Sequence, residues 1–138
     1  MPLVAQGSFQ RLYNEKDNIC IEYQAMLRKY FPNGNYEAAF DSFSDFFYEI
    51  DSIFHRSESC KNEIRVILNR TEIKTLESNE KLNQSFNELQ IVSNNCINHF
   101  QSIYDSIKYD GFTYLENETF NNYSIISYIR GERKHPLL

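Results

Sequence analysis

Residues 36–54 read YEAAFDSFSDFFYEIDSIF, and the spacing of the apolar side chains in this stretch decides the fold class. Tyr36, Ala39, Phe40, Phe43, Phe46, Phe47, Ile50, Ile53 and Phe54 recur at i,i+3 and i,i+4 spacing. At about 100° per residue they fall on one arc of an α-helix, whereas a half-buried strand requires strict alternation. The opposite arc carries Glu37, Asp41, Asp45 and Glu49 at i,i+4 steps, with Asp51 close by. This predicts an amphipathic helix with an aromatic inner face and an acidic outer one. Asn35 is placed to cap it, and Glu37 in its first turn complements the positive end of the helix dipole.

On the N-terminal side, Gly7-Ser8 offers a cap. Phe9, Leu12, Tyr13, Ile19, Tyr23, Met26, Leu27 and Tyr30 then recur at helical spacing, with Lys16 interrupting the stripe. Pro32-Asn33-Gly34 has the turn chemistry that ends such an element, so the first helix is expected over 8–30. On the C-terminal side, 55–59 is polar and reads as a short connection, with Ser57 a candidate cap. A third helix follows with Cys60, Ile64, Ile67, Leu68, Ile73 and Leu76, and the polar run 77–81 either joins it to a fourth or lies within one long bent helix. From Leu82 the pattern is regular: Phe86, Leu89, Val92, Cys96, Phe100, Ile103 and Ile107 alternate steps of three and four, as in a bundle seam. Gly111 is a natural stop. Residues 117–122 are rich in turn formers, 123–130 read as a short helix ending at Gly131, and Pro136 prevents continuation.

These elements predict an all-α fold: an antiparallel helical bundle of about four principal helices over 8–110, a tail over 1–7, and a short, partly helical C-terminal extension over 111–138. The alternative is a long hairpin that completes its core only in a dimer or larger complex. Phe40, Phe43, Phe47, Ile50, Phe86, Leu89 and Phe100 are the expected core.

The 138 residues suit a single domain, and 11 Phe and 10 Tyr supply large buried areas for its core. A net charge of -5 argues against broad binding to nucleic acid or to an anionic membrane, since both need a basic surface. Cys20, Cys60 and Cys96 are odd in number and far apart, unlike a disulfide framework. The first ten residues lack a basic segment followed by an apolar run, and no stretch approaches about 18 continuous apolar residues. A cytoplasmic, reducing location is therefore expected.

Chemistry-bearing motifs are few. Only 4 Gly are present, with no phosphate-binding glycine loop and no Gly-x-Ser-x-Gly elbow. No acid precedes a His by three, as a carboxylate-bridged di-iron bundle would require, and Cys96 with His99 supplies two of the four ligands of a structural zinc site. No metal, cofactor or small-molecule ligand is expected.

The acidic ridge points instead to a partner. Like charges at i,i+4 destabilise a helix by roughly 0.2–0.5 kcal/mol per pair, so something should offset Glu37, Asp41, Asp45 and Glu49. Lys61, Arg65, Arg70 and Lys74 on the following helix are one source of countercharge; a basic surface on another protein is the other. The fourth helix carries many amides, at Asn83, Gln84, Asn87, Gln90, Asn94, Asn95, Asn98 and Gln101, which do not repel a partner and bond across an interface. The expected function is a non-enzymatic protein–protein interaction module, either an assembly subunit or a small acidic inhibitor or immunity-type protein. Its expected partner is a protein with a basic surface, or a second copy of itself.

The segment Arg130-Gly131-Glu132-Arg133-Lys134-His135 supports the alternative reading. It resembles the Arg-and-His signature of the HEPN-type endoribonucleases, a family of small helical bundles. The resemblance implies that Arg130 and His135 would bind the scissile phosphate and assist attack by the 2′-hydroxyl at a composite site in a dimer.

Overall fold

A computed structural model describes residues 4–70, 76–109, 124–129 and 131, and nearly all of them are helical. No strand occurs among them, so the fold is all-α. Helix α1 spans Val4–Tyr30, α2 Glu37–Asp41, α3 Phe43–Leu68, α4 Leu76–Tyr109 and α5 Ser124–Ile129, with a 3-10 turn at Pro32–Gly34 after α1. No helix among the described residues is long and apolar enough to cross a membrane.

The turn has the backbone its residues favour. Asn33 (φ 57°) and Gly34 (φ 76°) both lie in the left-handed region, which Asn and Gly tolerate best. The Gly34 N–H donates to the Phe31 carbonyl and the Asn35 N–H to the Pro32 carbonyl, each at 3.1 Å. The Asn35 side chain then accepts the Glu37 N–H at 2.9 Å, although the N-cap position of α2 is Tyr36, one residue after the expected cap.

Polar contacts fix the direction of the long helices. Arg11 meets Glu63, Arg56 meets Glu15, and Lys29 meets Glu49, so α1 and α3 are antiparallel. Lys61 bonds Gln90, Ser57 bonds Ser93, and Phe47 packs on Phe100, so α3 and α4 are antiparallel too. Helix α5 lies on α3: the Asp51 carboxylate accepts the Ser124 hydroxyl (3.0 Å) and the Ile125 N–H (2.8 Å), satisfying a first-turn donor, while Tyr128 packs on Phe54.

Helix boundaries differ from the sequence reading in three places. Helix α1 begins at Val4 rather than near Ser8. The expected connection at 55–59 is absent: α3 runs unbroken for 26 residues. Its polar residues are satisfied by other helices, since Ser57 donates to the Leu89 carbonyl (3.0 Å) and Arg56 bridges Glu15 and Glu22. The break lies earlier, at Ser42 (φ -117°, ψ 48°), which separates α2 from α3. Among the described residues, three long helices and the short α2 therefore stand where four principal helices were expected, and α5 falls within the short helix expected over 123–130. The polar run 77–81 belongs to α4, with Glu77 and Lys81 paired at 3.2 Å.

Phe47, Ile50, Leu89 and Phe100 are fully buried, as expected. Phe43 and Phe86 are partly buried against the same core. Phe40 is not a core residue: it is 38% exposed, because the break at Ser42 rotates α2 so that Ala39 turns inward instead.

Candidate functional site

The ridge residues lie along α2 and the first two turns of α3. Glu37, Asp41 and Asp45 are exposed, and Glu49 is half-buried. The break at Ser42 falls between Asp41 and Asp45, so the four acids form an edge in two segments rather than one helical row. Among the described residues no Lys or Arg pairs with Glu37, Asp41 or Asp45. Glu49 reaches Lys29 of α1 at 3.4 Å, a loose and exposed pair. Exposed aromatic rings alternate with the acids: Tyr36 and Phe40 are each 38% exposed and Tyr48 71%.

The proposed internal countercharges lie elsewhere. Because α3 is continuous, Lys61 and Arg65 continue along the same helix as Glu49 instead of returning beside it. Sixteen residues at 1.5 Å rise place Arg65 about 24 Å from Glu49. Lys61 is fully buried and pairs with Glu58 at 2.8 Å. Lys74 lies outside the described residues, as do Arg130 and His135.

Behind the edge, α1 and α3 enclose an open cleft of about 290 Å³. Met26 and Ile53 form part of its lining with Glu22, Lys29, Tyr48 and Glu49. Sequence reasoning identified Glu49 but missed Glu22, Lys29 and Tyr48, which converge only once the turn at Pro32–Gly34 folds α3 back along α1. The signal available was the turn itself, with Lys29 in the last turn of α1. The Tyr30 hydroxyl is buried beside Lys29 and Glu49 without a well-aligned hydrogen bond, and burial and the Glu49 carboxylate raise its pKa. The neighbouring phenol and the Glu49 carboxylate also raise the pKa of Lys29.

Cys96 and His99 do not face a common site. Cys96 is fully buried, and burial raises its pKa, so the thiol behaves as a small apolar group. His99 stacks on Phe31 with ring centroids 4.7 Å apart, and burial lowers its pKa. Burial, with help from Glu15, pushes the Cys60 thiol up to about 12. Among the described residues no group of three or more His, Cys, Asp or Glu is placed to hold a metal ion.

Carboxylates set among exposed rings attract cations twice, through net charge and through the ring quadrupoles. Compared with protein-family models, curated proteins and solved structures, the chain matches none of them.

Proposed function

We propose that this chain is a non-enzymatic protein-interaction module, an antiparallel helical bundle whose α2–α3 edge binds a basic surface on another protein. It would serve as an assembly subunit or as a small acidic inhibitor or immunity-type protein. The observation that carries this reading is the set of exposed carboxylates at Glu37, Asp41 and Asp45, without a cationic partner among the described residues and bordered by exposed Tyr36, Phe40 and Tyr48. Aromatic rings give large contact areas at low entropic cost, and the acids give attraction and orientation. A cytoplasmic, reducing setting suits this role and the three free thiols at Cys20, Cys60 and Cys96.

The test is the triple variant Asp41→Asn, Asp45→Asn, Glu49→Gln. Its melting temperature is expected to stay close to that of the unaltered chain, because the one pair lost, Glu49 with Lys29, is exposed and worth about 0–1 kcal/mol. Proteins captured from the native source by the unaltered chain should carry basic surfaces, associate more slowly with the variant, and lose most of their salt dependence. Equal capture by both chains, with equal salt dependence, would remove the edge from the function. The alternative endoribonuclease reading rests on Arg130 and His135. Metal-free cleavage of single-stranded RNA that disappears in His135→Ala would transfer the function to it; no cleavage is expected.

A further inference from the structure

We propose that the outward face of α4 is a self-association surface, through which two copies of this chain pair antiparallel about a two-fold axis near Ile91. Between Lys81 and Asp105 the only acidic or basic residue, His apart, is Glu88, and it pairs with Lys16 of α1 at 2.8 Å. The face turned away from the core carries Gln84, Asn87, Ile91, Asn94 and Asn98, all exposed, followed by half-exposed Gln101. Their steps of four and three make a second heptad seam on α4, separate from the buried Leu82, Leu89, Val92, Cys96, Phe100 and Ile103. Solvent-facing helix surfaces normally hold charges of both signs. This one holds none over about 26 Å, taking 1.5 Å per residue.

Charge and hydrogen-bonding chemistry identify the occupant as a second copy. A chain of net charge -5 repels itself wherever acids face each other, and the one acid of this stretch, Glu88, is paired with Lys16. Each Asn or Gln amide holds both donors and an acceptor, so an amide face complements itself. That is the requirement of an isologous contact, in which one patch meets its own copy. Ile91, 60% exposed at the centre of the seam, gains cover only from an apolar partner, and at a two-fold axis that partner is the other Ile91.

The charges at the ends choose the direction. Antiparallel pairing about Ile91 sets Gln84 against Asn98, Asn87 against Asn95, and Glu80 against Ser102. Parallel pairing would set Glu80 against Glu80 and Asp105 against Asp105. A single-helix contact lies near the lower limit of specific interfaces, about 1,000 Å² in total, so the dimer is expected to dissociate in the micromolar range.

Sedimentation equilibrium of the full chain, from low to several hundred micromolar, tests the proposal. The mass should rise from one chain to two across that range. Ile91→Glu puts two carboxylates at the axis and should raise the dissociation constant at least ~10-fold. Its helical circular dichroism should be unchanged, because residue 91 is outside the core. Asn98→Asp should weaken the dimer in the same direction, while Asp41→Asn should not affect it, which separates this surface from the acidic edge. Ile91→Cys should cross-link between copies on oxidation, and Ile21→Cys, 64% exposed on α1, should not. A one-chain mass at every concentration would overturn the proposal, and so would a dimer indifferent to Ile91→Glu.

Discussion

Phe47→Ala is expected to lower the free energy of unfolding by about 3–5 kcal/mol, a large fraction of the roughly 5–15 kcal/mol typical of a domain. The Phe47 ring is fully buried, with ring centroids 4.3 Å from Phe43, 5.6 Å from Phe46 and 4.6 Å from Phe100. It therefore joins the start of α3 to the far half of α4, and truncation leaves a cavity lined by rings too bulky to collapse into it. Phe40→Ala is the informative comparison. It lies seven residues earlier in the same apolar stripe, yet the break at Ser42 leaves it 38% exposed, and its truncation should cost about 1 kcal/mol or less. Urea titration of both variants measures the difference. Equal losses would mean that α2 continues α3 without a break and that Phe40 shares the core.

That comparison also shows which features were legible in the sequence. The turn at Pro32–Gly34 was readable because its residue types leave the backbone few options, and the inward face of α3 was readable because Phe46, Phe47, Ile50, Ile53 and Phe54 keep one phase. The break at Ser42 was not, because neither Gly nor Pro marks it and Ala39 replaces Phe40 in the core only through the rotation of α2. The false connection at 55–59 has a different cause. Five consecutive polar residues look solvent-exposed, yet Ser57 and Glu58 are buried and their partners lie on α4 and on the next turn of α3. A signal was present: the steps Phe54, Ser57, Lys61, Ile64, Leu68 hold the helical phase straight through the segment, whereas a loop would reset it. The acidic edge was legible as charge and periodicity, but its geometry was not. Lys29, Glu22 and Tyr48 join Glu49 only through the α1–α3 pairing, and the countercharge expected from Lys61 is absent because α3 does not turn back.

The second large effect concerns that same lysine. Lys61→Ala is expected to destabilise the fold by about 3–5 kcal/mol, the cost of leaving a buried ion without its partner. Lys61 has no exposed surface and Glu58 only 5%. The ammonium lies 2.8 Å from the Glu58 carboxylate, 2.9 Å from the Gln90 side-chain oxygen and 5.9 Å from the centre of the Phe86 ring. Two charge-assisted bonds and a ring face thus replace the water the ion gave up. Removing the amine takes the Lys61 partner away from a carboxylate held in the interior. Replacing both ions with apolar groups of similar size leaves no such carboxylate, so Lys61→Met with Glu58→Leu is expected to be neutral or stabilising relative to the unaltered chain. The pair then acts mainly on specificity: it fixes α4 against α3, with Gln90 at the level of Lys61 and Ser93 at the level of Ser57. A slip of one helical turn, about 5.4 Å, would break both contacts at once. Urea titrations of Lys61→Met, Glu58→Leu and the double variant close the cycle and give the coupling energy. A Lys61→Ala cost no greater than that of an exposed lysine, within about 0.5 kcal/mol of zero, would show that the ammonium is hydrated and that the α3–α4 register is set by apolar packing alone.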